Sequence, residues 1–321
     1  RKYNRMPSAL FIKSDSGKNI RSKEDIDTSE KDKQIIDAVF GIGPKDATVL
    51  GKGVYKNFGI AQTGFNISSC QFAMHYFFKN IVTVNTFVRN LTECTKVNGY
   101  YIGTCYDGET VFNLLKNKNK NESVTIFKND HKIFELTKQY DQTGFPDDDL
   151  SLGYGIDVYQ ESINKEFKEY LVNFKYFTQL MEDYGFILIT TEEARQMNLP
   201  NNTGLFKDMF DSMELDIKQN HKRKQEYKQA VYMSPEEKQI SFMNRYFVFK
   251  KVRNVDAKKM FDILIKQTDI VNKMGEDNIE NNEKIVDVDE KVDEPTILPT
   301  QEKIKIIPKK TDRKVVLKKY N

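Results

Sequence analysis

Between Phe65 and Leu115 short apolar runs alternate with helix-patterned segments, and this alternation limits the fold more than any other feature. Phe65-Asn66-Ile67 reads as the end of a buried strand, with a polar step at Ser68-Ser69. From Val82 to Lys96, Val84, Phe87, Val88 and Leu91 recur at i, i+3, i+4 and i+7, the spacing of one helix face. Tyr100-Tyr101-Ile102-Gly103-Thr104 is a second strand, entered by a turn at Asn98-Gly99 and left through Cys105-Tyr106-Asp107-Gly108. Val111 to Leu115 starts another helix. Strand, helix, strand, loop, helix is the rhythm of parallel strands joined by helical crossovers, an α/β class. In such sheets ligands sit in the crevice at the carboxyl ends of the strands. The run Gln71-Phe72-Ala73-Met74-His75-Tyr76 stands at that place. A Gln, a His and a Tyr crowded together there suit a flat heterocycle. The competing reading is an amphipathic helix start with a satisfied core His.

The flanks add further elements. Residues 8–12 read as a short buried strand ending in Lys13-Ser14-Asp15-Ser16-Gly17-Lys18, where Asp15 is either a ligand acceptor or a turn residue. A helical stretch covers 33–40, and the glycine-rich residues 41–64 read as an insertion loop. Val124–Phe127 and Lys132–Leu136 flank Asn129-Asp130, a hairpin signal. With a third strand over 153–159 they predict a small antiparallel insertion spanning 123–160. A helix at 175–184, a strand at 185–190, a helix start at Ser234-Pro235 and a strand at Arg245–Lys250 complete the sheet. Beyond the region 1–252, residues 253–274 carry an amphipathic helix pattern. Residues 276–294 hold nine acidic residues against two lysines, and 303–319 hold eight basic residues against one Asp. That composition predicts a charged, disordered tail over 275–321.

Charge excludes the simplest nucleic-acid reading. Lys and Arg number 50 against 47 for Asp and Glu, so no bulk basic field exists, although a local patch is compatible with the count. Cys70, Cys94 and Cys105 are odd in number and lack metal-ligand spacing, which predicts a reducing compartment and no metal. No apolar run reaches membrane-spanning length and no secretion signal is visible, so no membrane partner is expected.

Five separated segments share an order and a spacing. They are Asp15-Ser16-Gly17-Lys18, Ser69–Tyr76, Gly99–Thr104, Glu169-Tyr170-Leu171-Val172 and Tyr246-Phe247-Val248-Phe249. Together they resemble the messenger RNA cap guanine-N7 methyltransferases, most of all the methyltransferase portions of capping enzymes from large nucleocytoplasmic DNA viruses. The resemblance covers about residues 5–250. It implies a Rossmann-like sheet, S-adenosyl-L-methionine as cofactor, capped RNA as substrate and a cytoplasmic setting (viral factory or virion). It also implies that Asp15, Gln71 and Tyr76 line the cofactor pocket, and that His75, Glu169, Tyr246 and Phe72 hold the cap guanine. The residue types suit those roles. One carboxylate can accept both N1–H and N2–H of guanine, and aromatic faces stack on a base. N7 carries a lone pair and no proton, so no catalytic base is assigned and rate comes from positioning.

Two departures from the family pattern matter. Cys105-Tyr106-Asp107 replaces a Thr-Pro-Asn loop beside the cap pocket, so contacts there do not carry over. The family's glycine-rich Leu-Gly-Cys-Gly-type loop is missing, so the sheet is expected to be incomplete on its N-terminal side. The expectation is therefore the C-terminal part of a longer enzyme, with triphosphatase and guanylyltransferase domains upstream. The alternatives are a non-catalytic cap-binding or stimulatory subunit and, more weakly, a small-molecule methyltransferase of the same fold.

Overall fold

The computed structural model describes residues 9–23 and 29–268. In chain order, α1 (Glu30–Phe40) and α2 (Ala47–Lys56) precede β1 (Phe65–Gln71), a 3-10 turn (Met74–Lys79), α3 (Ile81–Cys94), β2 (Thr95–Tyr106) and α4 (Gly108–Leu114). An antiparallel block follows: β3 (Ser123–Lys128), β4 (His131–Lys138), β5 (Gly155–Gln160) and β6 (Lys165–Tyr170). The chain returns through α5 (Phe174–Asp183), β7 (Phe186–Leu188), α6 (Thr191–Gln196), β8 (Thr203–Leu205), α7 (Phe206–Gln219), α8 (Pro235–Ser241) and β9 (Asn244–Lys251). A helix over 257–268, α9, ends the described residues.

The α/β class holds. The main sheet runs β1-β2-β9-β7, with β8 also on β9, and it is mixed: β1 and β2 are parallel while β9 opposes β2, β7 and β8. The helix read from Val84, Phe87, Val88 and Leu91 is α3, and all four side chains are buried. Asn80 starts it by accepting a hydrogen bond from the Thr83 N–H. In α5, Phe177, Leu180 and Met181 make a second buried stripe at i, i+3 and i+4. These two stripes meet Tyr101, Phe247 and Phe249 of the sheet in one aromatic core. A second core lies between β3–β6 and the end of β2, around Phe134, Leu136, Ile156, Val158 and Tyr106.

Several expectations change. Residues 9–12 form no strand, and the Phe11 ring is 90% exposed. No described strand lies alongside to pair with that run. The loop at 41–64 contains α2, capped by Asp46 and kinked where Gly51 takes φ 73°. Asn98-Gly99 does not precede a strand but lies inside β2, which begins at once after α3, with Asn98 at φ 63°. The hairpin turn is as read, with Asn129 and Asp130 at φ 50° and 62°. The antiparallel insertion does not stop at 160, because β6 adds a fourth strand through Tyr170. Its sequence, Lys165-Glu166-Phe167-Lys168-Glu169-Tyr170, is too charged to show as a strand. The strand read at 245–250 is β9, and it lies inside the sheet, with β2 on one side and β7 and β8 on the other. The helix read over 253–274 starts at 257, and Ala257, Met260 and Leu264 lie on the first core. The tail over 275–321 lies outside the described residues. Among the described residues no helix is long and apolar enough to cross a membrane.

β1 is the border strand. Its other edge pairs with nothing among the described residues, and Phe65 and Ile67 are 38% and 56% exposed. The strand carries no charged side chain that would discourage further pairing.

The β2–β9 contact leaves no room for side-chain growth at Gly103. A Cβ there would stand 2.3 Å from Phe247 Cζ and 2.8 Å from the Cys70 carbonyl oxygen. Gly103→Ala is therefore expected to destabilise the chain by about 2 kcal/mol or more. Urea unfolding checks this, and a loss below ~0.5 kcal/mol, the range of surface substitutions, would contradict the packing.

Candidate functional site

A cavity of about 410 Å³ opens where the 3-10 turn, β5–β6 and the α8–β9 junction meet. Phe72, His75 and Tyr76 line it from one side, Gln160 and Glu169 from another, and Asn244 from a third. The volume is within the range of small-ligand sites.

Local geometry explains how the first wall is built. The Phe72 N–H donates to the Thr104 carbonyl at 2.9 Å, which carries the β1–β2 ladder one residue past β1. The backbone then turns sharply, with Phe72 at φ 52°. A bulky residue in the left-handed region is disfavoured by roughly 1–2 kcal/mol, and such strain concentrates at functional sites. The Phe72 ring is 51% exposed at the cavity and meets Phe206 edge to face at 6.0 Å. The tight 3-10 turn then places His75 inside and Tyr76 beside it, with ring centroids 4.3 Å apart. A backbone bond from the Gly153 N–H to the Phe78 carbonyl ties this turn to the antiparallel block.

Glu169 comes from β6, the strand that sequence reading missed. Its Oε2 stands 3.4 Å from His75 Nε2. Both side chains are buried, yet neither His75 nitrogen nor Glu169 Oε2 has a hydrogen-bond partner. Burial lowers the His75 pKa to about 4 and raises that of Glu169 to about 7. The imidazole is therefore neutral at physiological pH, and the carboxyl titrates far above the ordinary carboxylate range. Six buried side-chain polar atoms lack partners among the described residues, and four of them belong to this cavity: both His75 nitrogens, Glu169 Oε2 and Asn244 Oδ1. Buried polar groups are rarely left unpaired. Their concentration here sets this cavity apart as the candidate site for a polar ligand.

Tyr106, whose segment was given no contacts from sequence, and Gln160, which was not singled out at all, also line the cavity. The Gln160 amide donates to the Tyr106 hydroxyl at 3.0 Å, and the Tyr106 ring stacks near His75 with centroids 6.5 Å apart. Asp107, the next residue, is occupied elsewhere. One of its oxygens caps α4 through the Thr110 N–H, and the other accepts from Arg245 Nε at 2.6 Å. The unusual Cys105-Tyr106-Asp107 sequence thus supplies an aromatic wall and a structural carboxylate. Asn244 follows a charged-helix segment, and nothing in the local pattern sets it apart.

Of the seven side chains singled out from sequence, the structure gathers Phe72, His75, Tyr76 and Glu169. Tyr76 lines the same cavity as His75, rather than a separate pocket behind it. Tyr246 lines a neighbouring apolar groove with Phe206, Met209 and Phe242, and its hydroxyl accepts from the Asn201 N–H. Phe72 borders the first space and Phe206 the second, so that ring pair is part of the wall between them. Asp15 is exposed, with its carboxylate accepting from the Gly17 N–H at 2.8 Å as in a turn. Gln71 is exposed at the end of β1, where its amide bonds Ser69 and Thr104.

The sequence comparisons with known proteins agree on one family. The sequence profile of the mRNA (guanine-N(7))-methyltransferase domain matches residues 14–252. The chain is 28% identical over 213 residues to the probable mRNA-capping enzyme of Acanthamoeba polyphaga mimivirus, which covers 60% of this chain and 18% of that protein. It is 37% identical over 51 residues to the mRNA cap guanine-N(7) methyltransferase of Drosophila melanogaster, covering 16% of this chain and 12% of that one. The chain thus spans less than a fifth of either curated relative. Among solved structures, the CcbJ methyltransferase of Streptomyces caelestis aligns over 60% of this chain and 59% of its own, at 8% identity and a TM-score of 0.33. An S-adenosylmethionine-dependent methyltransferase of Clostridium acetobutylicum aligns over 38% and 48%, at 10% identity and a TM-score of 0.25. Scores this low add nothing to the topology described above.

The buried carboxyl carries a stability signature. Below the usual carboxylate value of 4.5, Glu169 is protonated in the folded and the unfolded chain alike. From there to about pH 7 it ionises only when unfolded, so stability falls as pH rises. Above pH 7 the loss is complete, on the order of 3 kcal/mol. Glu169→Gln is expected to match the wild type near pH 4.5 and to exceed it increasingly up to pH 7. Thermal melts of both proteins across this range check the sign, and parallel curves would refute the assignment.

Proposed function

The chain belongs to the mRNA (guanine-N(7))-methyltransferase domain family, and from that premise we propose that the cavity holds the cap guanosine of RNA while its N7 is methylated. The observation that carries this reading is the unpaired, buried Glu169 carboxyl beside a neutral His75. Guanine offers adjacent N1–H and N2–H donors, and a carboxylate accepts both. Adenine presents an acceptor at N1 and is repelled. Phe72 and Tyr76 offer aromatic faces, and stacking of a base on such a face is worth roughly 1–3 kcal/mol. A cationic guanine, the product of N7 methylation, is held better still by π faces.

The residues of this chain act by binding and orientation. N7 is already a lone pair, so no side chain has to remove a proton. His75 is a positioning residue: its low pKa keeps it uncharged, and its ring lies against Glu169 and Tyr76. Enclosure of the base fixes the direction of the N7 lone pair, and the rate gain comes from that alignment.

S-adenosyl-L-methionine is the methyl donor of the family. The residues assigned to it do not form an enclosed site among the described residues. Asp15 and Gln71 are exposed and bonded locally, and Tyr76 faces the guanine cavity. No step through the donor is therefore derived. The open, uncharged border of β1 supports a reading in which a further strand pairs there and brings the rest of the donor site. The mimivirus relative, named as a capping enzyme and far longer than this match, supports linkage to other cap-forming domains. The lack of an enclosed donor site also favours a second reading, a cap-binding or stimulatory subunit that catalyses nothing alone.

Binding of an unmethylated cap dinucleotide tests the cavity. Glu169→Ala and His75→Ala are expected to weaken it by tenfold or more. Guanine donors need the ionised carboxylate, so wild-type affinity should be highest above pH 7 and fall as the pH drops through 7. Glu169→Gln should bind weakly with a flat profile. Unchanged affinity in both alanine variants would overturn the site. Methyl transfer to capped RNA then separates the two readings, since turnover supports a catalyst and cap binding without turnover supports the subunit.

A further inference from the structure

Asn244 is the one described residue whose buried amide is half used. Five asparagines are buried: Asn19, Asn85, Asn90, Asn173 and Asn244. In the first four the side-chain oxygen accepts a hydrogen bond, from Ser22 N–H, Tyr184 hydroxyl, Ile20 N–H and Lys175 N–H respectively. The Asn244 oxygen has no donor. Its nitrogen is fully engaged, donating to the Ile240 carbonyl at 3.2 Å and the Ser241 carbonyl at 3.0 Å. Both partners are acceptors, so only the amide nitrogen can face them, and the amide cannot flip. The carbonyls at the end of α8 therefore hold Oδ1 on the opposite side of the group. Asn244 is 6% exposed and lines the same cavity as His75 and Glu169.

We infer that Asn244 is a specificity-determining residue of this cavity, its Oδ1 accepting from the exocyclic amino group of the bound purine. The inference rests on the reading of the cavity as a guanine site. A 2-amino group carries two hydrogens. A carboxylate that spans N1–H and N2–H uses one of them and leaves the other in the ring plane without an acceptor. Asn244 Oδ1 supplies that acceptor, and it comes from β9 rather than from the strand that carries Glu169. A purine with no 2-amino group leaves this buried acceptor unpaired, which is the arrangement that discriminates most strongly between close analogues. Asn244 carries no charge, so this selectivity is independent of pH, unlike the contribution of Glu169.

The test uses two cap dinucleotides, guanosine(5′)triphospho(5′)adenosine and its inosine counterpart, which differ only in the 2-amino group. Dissociation constants are measured for the full chain and for Asn244→Ala at pH 8. The wild type is expected to prefer guanosine, and Asn244→Ala to reduce that preference about tenfold, as for loss of one hydrogen bond from a buried acceptor. Affinity for the inosine cap should stay within about twofold. Should the alanine variant unfold, Asn244→Ser keeps a hydroxyl donor for the α8 carbonyls and should show the same reduced preference. Equal weakening of both caps would make Asn244 a packing residue and overturn the inference, as would an unchanged preference. A wild type that binds neither dinucleotide would instead remove the guanine reading of the whole cavity.

Discussion

The pairing of β9 with β2 is the constraint on which the rest of the structure depends. It runs without interruption from Tyr100 opposite Lys250 to Tyr106 opposite Asn244. The chain leaves this ladder at Tyr106 and rejoins it at Asn244, so everything in between is anchored at its one end. β9 lies between β2 and β7 with a buried middle: Val248 packs in a small cluster on one face, and Phe247 and Phe249 on the other complete the core that α3 and α5 cover. Its first residues leave the core and serve the neighbourhood of the cavity. Asn244 lines the cavity, and Arg245 locks Asp107 at the start of α4. Tyr246 shapes the adjoining groove. One strand thus fixes both the fold and the far wall of the site.

The cavity is a place where local stability is given up. Left-handed Phe72, the partnerless nitrogens of His75, the buried Glu169 carboxyl and the unpaired oxygen of Asn244 each oppose folding in the free chain. The surrounding structure holds them, through the β1–β2 ladder, the bond from Gly153 to the 3-10 turn and the α8 carbonyls. A ligand that supplies donors to Glu169 and Asn244 recovers the hydrogen bonds they lack. On the proposed guanine reading, recovery would be large only for a ligand with the right donor pattern, so the same burial that weakens the free chain would produce selectivity.

Much of the fold and part of the site could be read along the chain. The α3 stripe of Val84, Phe87, Val88 and Leu91 is visible because a helix repeats every few residues, and Asn129-Asp130 because a tight hairpin turn needs left-handed residues. Phe72, His75 and Tyr76 were legible together because they are neighbours in one short turn after a strand. Glu169 was found only through its likeness to a family, since β6 is too charged to look like a strand. Asn244 and Gln160 were not found at all. Their roles depend on which groups they meet, and Asn244 follows an ordinary helix end. Asp15 and Gln71 show the reverse case, as their segment matches a family signature but the described residues enclose no site around them.

By itself the sequence determined the α/β class, the amphipathic helices, the hairpin and the cluster at the end of β1, because each follows from local periodicity or from the conformational limits of single residues. Only the tertiary structure decided that His75 and Glu169 meet at 3.4 Å without a proper hydrogen bond, and that Tyr76 shares their cavity. It also placed β9 inside the sheet and left one oxygen of Asn244 without a partner. The reason is physical. Backbone preferences act over a few residues and are written in them, whereas burial, pKa and unmet hydrogen bonds are properties of surroundings assembled from distant strands.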